Sequence, residues 1–305
     1  MILVGPPGPL IDAICAAVAA AAGDALVIVR DTPGAIDPNE PNRLHVVALL
    51  DVANRNAHDT VVVAIDEGLA SFARLRSRGF GPLEALRWLT LSDAVLGQRA
   101  AAGMPVLTRH SLADPAALLR HFGLTASSQH PLDVLPDDPL PGPQDRAMLA
   151  KVLPDGLAFG RYGRRHALIW PLACLFNGDR PDEQAPASVE LAGPARVLVF
   201  GPYFHLPPGL WRLRASLRFS RRCAGVWFAL ELRGGERYGR CRFQAEQCGV
   251  FTADFIAEVL SPDEPLEVRL ALERGAIDGN VSLVEIAFAP LSSDPQPVQR
   301  DRPAR

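Results

Sequence analysis

The sequence predicts an open α/β sheet followed by an all-β sandwich, and three observations carry that expectation. The chain has 305 residues, 48% of them hydrophobic, which exceeds one ordinary domain and suffices for two cores. Apolar strands alternate with helical segments over the first 125 residues. Further on, Trp211, Leu213, Ala215, Leu217 and Phe219 fall on one face of a continuous run, with Arg212, Arg214, Ser216 and Arg218 on the other. A period of two marks a strand with one dry and one wet face.

The elements of the first half follow in order. Ile2 to Val4 is a short apolar strand, Gly5-Pro-Pro-Gly8 a tight turn, and Pro9 to Ala22 a helix with proline at its start, closed by Gly23-Asp24. Ala25 to Val29 is a second strand, and Arg43 to Asn56 is expected to be helical. Thr60 to Ile65 is a continuous apolar strand of the kind buried on both faces of a parallel sheet. Helices are expected at Glu67 to Arg78 and Pro82 to Ala102, then a strand at Pro105 to Thr108. A last helix is opened by Asp114 and stopped by Gly123.

From Thr125 to Gln144 the composition shifts to Pro, Asp, Ser and Gly, as in a linker or surface arm. The segment Ala158 to Phe176 is aromatic, basic and apolar together, a composition suited to packing across both domains. From Ala195 the signal is β, with short strands divided by glycine and proline turns. The expected division is therefore 1–125, an interdomain segment 126–188, a sandwich 189–291, and a polar tail 292–305.

Bulk properties exclude several classes. A formal charge of -3 gives no general nucleic-acid or membrane footprint. Five scattered cysteines (Cys15, Cys174, Cys223, Cys241, Cys248) show no paired metal-ligand spacing, so no metal site is expected. They read as reduced thiols of a cytoplasmic protein, with one disulfide among Cys223, Cys241 and Cys248 as the alternative. The alanine-rich run Leu10 to Ala22 lacks the basic lead of a secretory signal, and no apolar run is long enough to span a bilayer.

A strand, glycine turn and helix in succession aim backbone N–H groups at a phosphate. Here Pro6, Pro7 and Pro9 have no N–H to donate, and the turn lacks the Lys and the Ser or Thr that a working phosphate loop needs. Residues 1–125 nevertheless resemble the sulfotransferases, P-loop-type enzymes that take sulfuryl groups from a phosphoadenosine donor. The resemblance rests on the Ile2 to Ile14 strand-turn-helix, on Val61-Val-Val-Ala-Ile-Asp-Glu-Gly-Leu-Ala-Ser-Phe-Ala-Arg74, and on Val106 to Leu124 with its Asp-Pro turn and final Gly-Leu. It implies cofactor contacts at Gly5, Gly8 and Ser71. The Arg expected on the second stretch is missing, since Val63, Ala64 and Ile65 hold its place. No catalytic base is identifiable; His45 and His110 are candidates by side chain alone, against a surface or capping role. The expectation is a retired enzyme fold serving as scaffold, without a cofactor; phosphoadenosine phosphosulfate enters only if the domain is a divergent transferase.

In the second half, Gly234-Gly235 between extended runs predicts a two-residue hairpin turn. Counting outward places Arg233 opposite Glu236, Glu231 opposite Tyr238, Ala229 opposite Arg240 and Trp227 opposite Arg242, with Val226–Phe243 and Phe228–Cys241 as the dry pairs. The wet face then presents Trp227, Glu231, Tyr238, Arg240 and Arg242: a flat aromatic with planar donors and a carboxylate, the equipment of a glycan site. Two structural readings compete, namely Trp227–Arg242 stacking across strands and coverage of the face by another segment. The Gly201-Pro-Tyr and Leu206-Pro-Pro-Gly209 corner, with Pro265-Leu-Glu-Val-Arg-Leu270, resembles the jelly-roll, carbohydrate-binding-module-like domains of bacterial glycosyltransferases and polysaccharide-export proteins. Tyr203 and His205 of that corner are expected to be structural. The resemblance implies a non-catalytic or weakly catalytic accessory protein that binds a glycan or glycan precursor in bacterial surface-polysaccharide biosynthesis, with carbohydrate or polysaccharide-assembly proteins as partners. The alternatives are a carbohydrate sulfotransferase and a scaffold with no ligand.

Overall fold

The computed structural model describes residues 2–23, 27–31, 43–47, 61–125, 139–154 and 167–291. Its first unit is built on β1 (Ile2–Val4), β2 (Val27–Asp31), β3 (Arg43–Val47), β4 (Val61–Ala64) and β5 (Val106–Leu107), with helices α1 (Pro9–Ala22), α2 (Gly68–Ser77), α3 (Pro82–Ala101) and α4 (Pro115–Arg120). The five strands form one sheet in the order β2-β3-β1-β4-β5, and every pairing is parallel. Alternate residues of the apolar strands serve opposite faces. Leu3, Val62 and Ala64 pack with Leu10, Ile14 and Val18 of α1 and with Leu118 of α4. Ile2, Val4 and Val63 pack with Phe72 of α2 and with Leu86 and Leu89 of α3. Burial on both faces explains why these strands read as unbroken apolar runs.

One element departs from expectation. Arg43 to Val47 is a strand, not the start of a helix, and residues 48–56 lie outside those described. The physical reason is the ladder: β3 is held on one side by β1 (Ile2 against His45) and on the other by β2 (Val27 against Arg43). Two ladders outweigh its local helical pattern.

The chain re-enters the described region at residue 139, and α5 (Pro143–Val152) follows. Pro143 and Gln144, expected in a linker, form the first turn of this helix, where proline costs no hydrogen bond. Ten strands follow among the described residues: β6 (Leu168–Trp170), β7 (Phe176–Asn177), β8 (Val189–Glu190), β9 (Arg196–Phe204), β10 (Gly209–Phe219), β11 (Trp227–Arg233), β12 (Arg237–Gln244), β13 (Gly249–Val259), β14 (Leu266–Leu272) and β15 (Asn280–Pro290). They make two antiparallel sheets, β13-β10-β15-β6 with β8 attached to β15, and β12-β11-β14-β9-β7. The strand β10 alternates as its sequence does, with Trp211, Leu213, Ala215, Leu217 and Phe219 buried and the three arginines exposed.

Strand β6 comes from the segment read as interdomain; it pairs with β15, and Trp170 lies 4.1 Å from Phe288 and 5.8 Å from Phe204 between ring centroids. One continuous apolar core runs from α2 and α3 through Leu149 and Val152 of α5 into the sandwich. Helix α3 also touches the second sheet directly. Its Arg87 Nε donates to the Pro202 carbonyl at 2.8 Å, while the guanidinium lies 5.2 Å from the Tyr203 ring and 5.7 Å from that of Phe176. Three residues along, Thr90 Oγ1 accepts from the His205 backbone N–H at 3.2 Å. The corner at Tyr203, whose φ is 67°, is thus clamped from the α/β unit. Tyr203 and His205 are parts of the joint between the two units.

The hairpin β11–β12 corrects the expected pairing. Trp227 stands opposite Gln244, Ala229 opposite Arg242 and Glu231 opposite Arg240, a slip of two residues, with Phe228–Phe243 and Leu230–Cys241 as the dry pairs. A slip of two leaves Trp227, Glu231, Arg240 and Arg242 on their predicted face. The register shifts between Leu232 and Arg233, which leaves Tyr238 without a partner. The cause is Glu264, which sits against Gly234 and Gly235 and accepts from the Gly235 N–H and the Tyr238 hydroxyl, widening the turn to three residues.

Candidate functional site

The first candidate place lies at the carboxyl ends of β1 and β4, where open parallel sheets bind ligands. It is built by sequence in a simple way: the turn after β1 brings Gly5 and Gly8 to the start of α1, and the residue two after β4 is Asp66. The Asp66 side chain is 2% exposed and sits at the amino end of α1. Its Oδ2 accepts from the Leu10 N–H at 3.1 Å, and its Oδ1 accepts from the Glu67 N–H at 2.8 Å and from Arg109 Nε at 2.7 Å. A carboxylate of the chain therefore holds the position that a helix amino end offers to a bound anion.

Gly5, Gly8 and Ser71 are all buried around it. A Cβ on Gly5 would run into the Ala64 carbonyl, and one on Gly8 would lie 3.0 Å from Asp66 Oδ2 and 3.4 Å from Ser71 Oγ. Close packing against β4 and α2 explains both glycines. The Ser71 Oγ is buried and has no hydrogen-bond partner among the described residues. Sequence reasoning finds the three residues but misses Asp66. The signal that would have found it is a carboxylate directly after a fully apolar strand. The two histidines do not join them: His45 is buried on β3, whereas His110 is exposed beyond β5.

The second candidate place is the outer face of β12, β11 and β14. Pairing sets three rows across the strands: Gln244–Trp227, Arg242–Ala229–Ala271 and Arg240–Glu231–Arg269. Glu273, whose backbone N–H donates to the Trp227 carbonyl, ends the first row. Two alanines side by side make a floor, and the longer side chains around them make walls. The result is an open trough of about 470 Å³ bounded by Glu231, Arg240, Arg242, Leu272, Glu273 and Arg274.

The walls are fixed by one another. Arg242 donates from Nε to Glu273 Oε2 at 2.7 Å, and its guanidinium stands 5.6 Å from the Trp227 ring centroid. Arg240 bridges the two carboxylates, bonding Glu273 and lying 3.1 Å from Glu231. Glu231 and Glu273 are each 11% exposed at the side chain, against 56% for Arg242. The hydrogen bond from Arg242 holds the Glu273 carboxyl below its ordinary range, and the same contact pushes the Arg242 guanidinium up. Of the five residues expected on this face, Trp227, Glu231, Arg240 and Arg242 come together. Tyr238 does not: it is half-buried against the core, with its hydroxyl on Glu264. Sequence reasoning misses Glu273 and the Ala229–Ala271 floor.

All five cysteines are free. Burial pushes the Cys174 thiol up to about 12, so it is an inert core group. Among the described residues no group of three or more His, Cys, Asp or Glu is arranged to hold a metal, and no helix is long and apolar enough to cross a membrane.

No protein-family profile matches this sequence, and no curated protein is similar to it. Similarities exist among solved structures. One is a family 16 carbohydrate-binding module, 10% identical over 33% of this chain and 74% of that one, with a TM-score of 0.26. Another is TmCBM61 in complex with β-1,4-galactotriose, 11% identical over 41% and 88%, at 0.27. A third is the C-terminal CBM6 of LamC from Zobellia galactanivorans, 12% identical over 41% and 99%, at 0.26. At these scores the likeness carries no weight for what the chain binds.

Proposed function

We propose that the protein is a non-catalytic glycan-binding protein, with the β12–β11–β14 trough as its binding face and the α/β unit as its scaffold. The observation that carries this reading is the trough itself: a flat Ala229–Ala271 floor walled by planar guanidiniums and carboxylates. A pyranose ring is flat enough to lie on such a floor, and its hydroxyls match bidentate donors and acceptors at the walls. Because Arg240, Arg242, Glu231 and Glu273 already hold one another, little side-chain freedom is lost when a ligand arrives. In this reading Arg242 stays on Glu273, and Trp227 closes one end of the trough.

The scaffold role of the α/β unit is supported by Asp66, which takes up the helix amino end that a donor phosphate would need. A role in bacterial surface-polysaccharide assembly, inside the cell, belongs to the same proposal and rests on the sequence resemblance alone.

The test is a glycan array followed by calorimetry on Ala271→Tyr, which fills the floor without removing a member of an ion pair. We expect at least a tenfold weaker Kd, about 1.4 kcal/mol, for any glycan the parent protein binds. An array with no hits, or hits that Ala271→Tyr leaves intact, sinks the trough. Micromolar binding of phosphoadenosine phosphate would overturn the scaffold role and favour a divergent sulfotransferase.

A further inference from the structure

The sandwich has two lateral margins, and they are treated differently. On one, β6 and β9 are packed against α5 and α3. On the other, β12 and β13 are the end strands of their sheets and do not pair. Between them lies a cavity of about 220 Å³ that reaches the inner faces of the sheets. Phe219, Phe243 and Phe251 line it, with centroids of Phe219 lying 6.3 Å from Phe243 and 5.9 Å from Phe251. Cys241, Gln244, Thr252, Ala253 and Asp254 are also part of the lining.

Two features define what fits. A dry cavity of about 150 Å³ already accepts a benzene-sized ring, whereas drug-sized ligands need about 300 Å³ or more. A volume of about 220 Å³ therefore suits one substituted six-membered ring and excludes an oligosaccharide. Among the polar residues of the lining, Thr252 brings a hydroxyl and Asp254 a carboxylate that accepts. The Gln244 amide N–H donates to the Gly225 carbonyl at 2.8 Å. Asp254 makes no ion pair or hydrogen bond among the described residues, yet its charge lies close enough to Cys241 to help burial raise that thiol. Aromatic walls favour the C–H face of a ring, and acceptors at the mouth favour O–H donors on its rim.

We infer that the open margin between β12 and β13 is a second binding site, separate from the trough, for a single hydroxylated pyranose ring such as the terminal residue of a glycan. The two sites are separable, because Cys241 and Phe243 of the cavity alternate along β12 with Arg240 and Arg242 of the trough.

Cys241 supplies the readout. In the full-length Cys248→Ser protein, Cys241 is the one partly exposed thiol, since Cys15, Cys174 and Cys223 are buried. Its alkylation is followed with a panel of methyl glycosides of glucose, galactose, mannose and N-acetylglucosamine as probes. At a probe concentration ten times its Kd, mass action slows the reaction roughly tenfold. Ala253→Leu, which fills the cavity, is expected to abolish that protection, and Ala271→Tyr in the trough to leave it unchanged. Phe251→Ala, which removes one wall, serves if Ala253→Leu does not fold. The inference is overturned if no methyl glycoside protects Cys241, if protection survives Ala253→Leu or Phe251→Ala, or if the thiol does not react at all. Protection by the glycosides with no array hit on the trough would separate this site from the function proposed above.

Discussion

Replacing Asp66 by alanine is the most exacting test of the account given for the α/β unit. The carboxylate receives three hydrogen bonds, and the loss can be apportioned among them. Leu10 is buried and its N–H loses its acceptor, a cost of about 1–3 kcal/mol. Glu67 is exposed, and its N–H is resolvated at little cost. The Arg109 guanidinium loses a charge-assisted bond of about 1.5–3 kcal/mol, tempered because the side chain is 23% exposed and reaches water. Asp66→Ala should therefore lower the unfolding free energy by about 3–5 kcal/mol, and Asp66→Asn, which keeps one acceptor, by about 1–2 kcal/mol. The assay is urea unfolding followed by circular dichroism and tryptophan fluorescence. Emptying this place also leaves the helix amino end, Ser71 Oγ and Arg109 facing a space of carboxylate size. Inorganic phosphate at ten times its Kd should then restore about 1.4 kcal/mol to Asp66→Ala and nothing to the parent protein. A loss below about 1 kcal/mol, or equal stabilisation of both proteins by phosphate, would refute the reasoning that Asp66 acts as the resident anion.

Three further outcomes are expected. Arg87→Ala removes a charged donor to the Pro202 carbonyl and the cation over Tyr203, and should cost about 2–4 kcal/mol while separating one calorimetric transition into two. Burial lowers the His205 pKa, so the unfolded chain binds the extra proton first; stability is complete above the ordinary value of 6.5 and declines as pH falls below it. His205→Gln should flatten that part of the stability–pH curve. Gly239→Ala places a methyl group in the Phe255 ring and should destabilise by about 1–3 kcal/mol, measured by thermal unfolding.

What the sequence discloses depends on how far each signal travels along the chain. The face of β10 is legible because burial alternates residue by residue, and the hairpin face is legible because parity survives a slip of two. The place of Tyr238 is not legible, since it is set by Glu264, 26 residues away in sequence. Strand β3 is hidden for the same reason, its extended form being imposed by β1 and β2. Strand β6 has only three residues, too few for any period to show. In the candidate sites, the arginines and Trp227 are visible as a set, whereas Glu273 is brought to them by the separate strand β14. The self-filled anion position is the clearest case: the missing donors of the Gly5–Gly8 turn can be read directly, but the group that replaces the ligand cannot be read from the turn alone.

The sealed margin of the sandwich bears on how this protein could have been assembled from parts. Modules that travel between proteins carry a complete surface and a free linker at each end. Here a fragment beginning at residue 189 would lose β6, strip Trp170 from Phe288, and bare the flank of β15 as a sticky edge. The α/β unit cut at residue 125 would likewise lose α5 from its apolar side. A change that improves the binding face must therefore also preserve helix α3, whose Arg87 bonds a carbonyl more than a hundred residues later in the chain.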